Sequence, residues 1–194
     1  MRKLAVFNEK YYAFKCCTYF FAGGLLLAQP TQAESELIAS AGKGLGNELM
    51  QYRSISASEM AGFSYSYLLS SFSLGDNSLQ WWGQGSYSHM RIEHHSEKQQ
   101  QNILEIKPIL RWYPRGELRG GFAEAGAGAS YLSQKNFGDI GLSTKLNFAL
   151  HFAFGYRFSR GHVLSLRYSH FSNARTNTPN PGFDFASLNG HLNF

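Results

Sequence analysis

Apolar and polar residues alternate with a period of two along most of the chain after residue 34. Between 61 and 69 the odd positions read Ala61, Phe63, Tyr65, Tyr67 and Leu69, with Gly62, Ser64 and Ser66 between them. Between 102 and 112 the even positions read Leu104, Ile106, Pro108, Leu110 and Trp112, against Glu105, Lys107 and Arg111. From 146 to 156 the even set is Leu146, Phe148, Leu150, Phe152, Phe154 and Tyr156, against Asn147, Ala149, His151, Ala153, Gly155 and Arg157. Successive side chains of a strand point to opposite faces, so this is the pattern of strands with one apolar and one polar face. No helical period competes with it, and no apolar run has the length of a membrane helix.

Eight such runs are predicted, at 36–46, 59–70, 79–91, 102–113, 119–131, 144–158, 161–173 and 183–194. Dividing residues 34–194 by eight leaves about 20 per strand and connection, enough for strands of roughly 10 residues. The connections alternate in kind. Pro114-Arg115-Gly116-Glu117 and Ser159-Arg160-Gly161 read as tight turns, whereas 47–58, 92–101, 132–143 and 174–182 are longer and polar. Short turns at one end and long loops at the other predict an eight-stranded antiparallel up-and-down transmembrane β-barrel. The alternative is a soluble barrel with its apolar face inward. Six large residues in succession on one face of the 144–158 run would overfill so small a lumen, which favours the lipid-facing wall. The chain closes on Leu188, Gly190, Leu192 and Phe194 at period two, which resembles the assembly signal of outer-membrane barrels. In that setting the barrel is multi-pass, with both termini in the periplasm.

Composition changes the picture in two places. The formal charge of +5 includes +3 from Arg2, Lys3, Lys10 and Lys15 against Glu9, leaving +2 for the rest, which argues against a nucleic-acid partner. Those basic residues precede an apolar run at 16–28 and the small residues of Thr31-Gln32-Ala33, so residues 1–33 are expected to be a secretory signal and 34–194 the barrel. Cys16 and Cys17 both fall in the signal, so no disulfide framework or thiolate metal site is expected in the exported chain.

Candidate chemistry sits in the last two strands. His170 and Ser172 extend the even, apolar series of Leu164, Leu166 and Tyr168, and Asp184 heads the even series that ends at Phe194. A base, a hydroxyl and a carboxylate are the parts of a serine-hydrolase triad, here all on the lipid-facing wall. His170 lies nine residues past Gly161. That is about 30 Å along a strand, or about 23 Å of height at a tilt of ~40°, near the edge of a ~25 Å apolar band. Asp184 falls at a similar level on the neighbouring strand. Ionisable groups on a lipid face point to function; the same residues also suit an outer aqueous interface, and pattern alone leaves both readings open.

The segment His170-Phe171-Ser172-Asn173-Ala174, followed by Pro179-Asn180-Pro181-Gly182-Phe183-Asp184, resembles the C-terminal signature of the lipid A 3-O-deacylase family. Phe122-Ala123-Glu124-Ala125-Gly126-Ala127-Gly128 resembles another strand of that family. The resemblance implies an outer-membrane barrel that removes the ester-linked 3-hydroxyacyl chain at position 3 of lipid A in lipopolysaccharide. It implies Ser172 as nucleophile, His170 as general base and Asp184 as orienter, in a place where the family usually has glutamate. Asn180 and Asn173 match asparagines of the motif, with Asn180 favoured as oxyanion donor. No cofactor or metal is implied, and a homodimer is compatible with it. A non-catalytic small barrel and a phospholipase on the same wall are the competing functions.

The remaining features have plainer expectations. Glu93-His94-His95 reads as a solvated loop for want of an anchored third metal ligand. His151 is expected in a lumen network with Arg157 or Glu124, and Trp81 with Trp82 in an aromatic girdle. Gly42 and Gly44, with Gly46, read as strand glycines and not a phosphate loop. Lys135 and Arg175 are candidate partners for lipid A phosphates.

Overall fold

The alternating segments form strands in the computed structural model, which describes residues 34–45, 55, 58–159 and 161–194. The strands are β1 (Ser35–Gly44), β2 (Glu59–Leu74), β3 (Asn77–His94), β4 (Glu97–Tyr113), β5 (Gly120–Leu132), β6 (Leu146–Arg157), β7 (Val163–Ser172) and β8 (Phe183–Asn193). Each pairs antiparallel with the next, and β8 returns to β1 with Glu36 opposite Asn193 and Gly44 opposite Phe185. The expected eight-stranded up-and-down barrel is therefore the fold, and its closure leaves no unpaired sheet edge. Gly42 serves that closure: a Cβ there would stand 2.3 Å from the Ala186 carbonyl oxygen on β8. The signal expected at 1–33 and most of the connection 47–58 lie outside the described residues.

The two faces separate as the period requires. Large apolar side chains cover the outside, among them Ile106 at 71% and Phe154 at 75% exposure. A soluble monomer rarely exposes so continuous an apolar surface, whereas lipid solvates it. Charged residues point into the lumen. Arg111 forks onto Glu36, with Nη1–Oε1 at 2.7 Å and Nη2–Oε2 at 2.9 Å, and its Nε donates to Glu124 at 2.9 Å. Arg157 and His191 complete the surroundings of Glu36, and Arg167 and His151 those of Glu124. His151 thus joins Glu124, one of its two expected partners. Buried carboxylates are held here by guanidinium and imidazole donors, so a wall of lipid encloses a lumen filled with paired charge.

Both ends of the lumen are apolar. Tyr113, Phe122 and Val163 close the end with short turns. Met90, Ile92, Ile103, Leu132, Phe171, Phe183 and Phe185 pack together at the end with longer connections, where the rings of Phe171 and Phe183 stack at 5.0 Å. This packed floor lies on the inner side of the wall that carries His170 and Ser172.

Three expectations change. Residues 92–101 form no long loop: β3 and β4 run on to a two-residue turn at His95 and Ser96, both with positive φ (49° and 65°). A hairpin that rises into water needs no apolar face, so its polar sequence resembles a loop. Trp82 is not in the girdle. It follows Trp81 by one position and therefore faces inward, fully buried, with the Arg111 guanidinium 4.8 Å over its ring. The connection 133–145 contains a small hairpin pairing Asn136–Phe137 with Ile140–Gly141, and it brings Asp139 to 3.3 Å from His94.

Candidate active site

The pairing of β7 and β8 sets the site. His170 stands directly opposite Asp184, and on the other side of β7 Ser172 stands opposite Phe148. Directly opposed residues on one face have Cβ atoms about 4.5–5.5 Å apart, within reach of the shorter aspartate. Asp184 Oδ1 lies 2.6 Å from His170 Nδ1. The same oxygen accepts a hydrogen bond from the Tyr168 hydroxyl at 2.7 Å. A carboxylate acceptor at this range keeps the proton on Nδ1 and leaves the Nε2 lone pair for other work. Asp184 is more enclosed than the imidazole it holds, with side-chain exposures of 9% and 20%.

The loop 173–182 is built by Asn173. Its backbone N–H donates to Asn180 Oδ1 at 2.9 Å, and its side-chain Nδ2 donates to Asn177 O and to Ser143 Oγ. Its Oδ1 accepts from the Arg175 backbone N–H, and its carbonyl from both the backbone and the hydroxyl of Thr176. These bonds hold Ala174 and Arg175 at positive φ (51° and 61°), a conformation costing roughly 1–2 kcal/mol for each such residue. Because Asn180 Oδ1 must accept from a backbone N–H, its Nδ2 is turned away from Asn173 and remains a donor. Gly182 brings the chain back over the imidazole at φ 63°, where a Cβ would sit 3.0 Å from His170 Cε1.

His170, Ser172, Ala174, Arg175, Asn180, Pro181 and Gly182 together line a cleft of about 280 Å³. Of the residues singled out in the sequence, His170, Ser172 and Asn180 meet there, and Asp184 stands behind the imidazole. Asn173 lies beneath the loop, buried and with its amide committed to the turn. Arg175 is on the lining and Lys135 is not. Two contributors escaped the sequence reading. Tyr168 shares the outward face two residues before His170, where an aromatic reads simply as membrane wall. Ser143 reaches Asn173 across 30 positions, a contact without a local signal.

A closed eight-stranded barrel with an apolar outer wall, and a cleft on that wall lined by His170 and Ser172, defines a transmembrane β-barrel. The chain belongs to the family described as lipid A 3-O-deacylase (PagL), whose model matches residues 59–193. It is 32% identical over 108 residues to the lipid A deacylase PagL of Bordetella bronchiseptica, covering 56% of this chain and 54% of that protein. It is 33% identical over 85 residues to the lipid A deacylase PagL of Pseudomonas aeruginosa, covering 44% and 49%. The chain thus matches about half the length of these two relatives. Among solved structures, the outer membrane enzyme PagL superposes with a TM-score of 0.67 at 23% identity, over 81% of this chain and 98% of that one. The N-terminal β-barrel domain of Pseudomonas aeruginosa OprF does so with a TM-score of 0.52 at 14% identity, over 84% of this chain and all of that one. Both structural likenesses concern the fold.

Proposed function

We propose that this protein is an outer-membrane serine esterase that hydrolyses the ester-linked 3-hydroxyacyl chain at position 3 of lipid A. The observation that carries the reading is the pair His170 and Asp184, opposed across a ladder on the lipid-facing wall with Ser172 in the same cleft. A cleft on the outer wall suits a substrate that is itself a membrane lipid, and the family is one of lipid A deacylases.

Ser172 Oγ attacks the ester carbonyl carbon while His170 Nε2 takes its proton. Asp184 holds the imidazolium through Nδ1, assisted by Tyr168, a positioning residue. The oxyanion is met by Asn180 Nδ2, oriented by the bond between its own carbonyl and the Asn173 backbone. The bond to the sugar oxygen breaks, and the sugar hydroxyl leaves with the proton from His170. Water gives a proton to His170 and attacks the acyl group, releasing a 3-hydroxy fatty acid and restoring Ser172. Arg175, on the cleft lining, meets a phosphate of the substrate. In this reading residues 1–33 are removed on export, the longer connections face outward, and both termini lie in the periplasm.

The test is mass spectrometry of lipid A from bacteria carrying the wild type or Ser172→Ala. Loss of one 3-hydroxyacyl chain with the wild type alone is the expected result. Intact lipid A in both strains sinks the reading, and loss of phospholipid chains instead replaces the substrate.

A further inference from the structure

We propose that His94, His95 and Asp139 form a binding site for a divalent transition-metal ion, joining the tip of the β3–β4 hairpin to the small hairpin of the 133–145 connection. None of the three lines the cleft. Each offers one ligand atom, and these atoms lie within 4.8 Å of one another. Ligands about 2.0–2.1 Å from a tetrahedral ion stand about 3.3–3.4 Å apart. The separation of His94 Nε2 and Asp139 Oδ1 is already 3.3 Å. The imidazole rings of His94 and His95 are 4.1 Å apart, so modest side-chain rotation closes the remaining edges. Two imidazoles and a carboxylate select zinc, nickel or copper over magnesium and calcium, and the exposed fourth position is left to solvent.

The turn geometry sets His95 beside His94. A two-residue hairpin turn with positive φ at both positions is ordinarily made by Asn-Gly or a similar pair. Here His95 and Ser96 occupy it at 49° and 65°. A histidine in that backbone state is disfavoured by its Cβ, yet there its ring packs edge-on against that of His94. The third ligand is held in place as well. Gly138 N–H donates to Gln99 Oε1 at 2.8 Å, Gln134 N–H to Gln101 Oε1 at 3.2 Å, and Ser133 N–H to the Asn102 carbonyl at 2.9 Å. These bonds dock the connection along β4 and carry Asp139 to the hairpin tip. The same connection reaches the catalytic loop through Ser143 and Asn173, so an ion at the tip braces the outer surface from one side to the other.

The probe is zinc, titrated calorimetrically into the tag-free, chelator-stripped full chain folded in detergent, with heat-modifiable gel migration confirming an intact barrel. The expected result is one zinc per chain, at least tenfold weaker in Asp139→Asn and in His94→Ala. His95→Gly relieves the turn and is the sharper variant: a better turn with at least tenfold weaker zinc supports the site. Amide exchange at 136–141 slows with zinc in the wild type and not in Asp139→Asn. Absence of zinc binding to the wild type, or binding unchanged in all three variants, overturns the proposal. So does equal affinity for magnesium.

Discussion

Asp184 faces His170 directly across the β7–β8 ladder, and one carboxylate oxygen serves both the imidazole Nδ1 at 2.6 Å and the Tyr168 hydroxyl at 2.7 Å. The aspartate reaches the histidine because the register places them side by side. Asp184→Asn keeps the shape but presents an amide that no longer holds the productive tautomer. It is expected to lower kcat by about 10²–10⁴ with little change in KM. Steady-state assays on an ester substrate in micelles check this, and an unaffected kcat removes Asp184 from the mechanism.

Tyr168 supplies the second bond to the same oxygen, and a hydrogen bond to a charged group is worth about 1.5–3 kcal/mol. Tyr168→Phe is therefore predicted to reduce kcat by roughly tenfold to a hundredfold. Because the tyrosine acts through Asp184, the effect should largely vanish in an Asp184→Asn background. A double-mutant cycle reads this coupling, and simple additivity contradicts it.

The two asparagines are expected to fail differently. Asn180→Ala, which removes the proposed oxyanion donor, is expected to lower kcat by about 10²–10³ while leaving the loop bonded elsewhere. Asn173→Ala strips the loop of its organiser, so amide exchange at 174–177 rises along with the loss of activity. Equal exchange in the two variants would argue against separate roles.

The lumen network predicts stability without chemistry. Glu36 is fully buried between Arg111, Arg157 and His191. Glu36→Ala leaves Arg111 half-paired and is expected to destabilise the barrel by about 3–5 kcal/mol. Urea unfolding in detergent measures this, and the folded fraction should retain wild-type kcat. On the outer wall, Phe154→Arg should cost about 2–4 kcal/mol if that position lies near the bilayer midplane.

How much of this the sequence discloses follows from the range of each interaction. The strands and their faces are legible because alternation is local and lipid demands it over many residues. The candidate site is legible only in part: His170, Ser172 and Asp184 interrupt an apolar series, but the same break suits an aqueous interface, and the motif around them is what singles them out. The upper part of the β3–β4 hairpin is not legible, because above the lipid nothing imposes an apolar face. Trp81 and Trp82 read as one girdle pair in the sequence, but a strand sends adjacent residues to opposite sides. Tyr168 carries two meanings, wall aromatic and hydrogen-bond donor, and only the register separates them. Asp139 and Ser143 act across folded distance, through a connection whose docking on β4 has no periodic trace.

Covalent capture tests Ser172 as the nucleophile. The folded barrel is treated with a lipophilic fluorophosphonate, and the modified peptide is mapped by mass spectrometry. The expected result is a single adduct on Ser172, formed at least a hundredfold more slowly in His170→Ala. An adduct at another serine, or labelling of Ser172 that ignores His170, would contradict it.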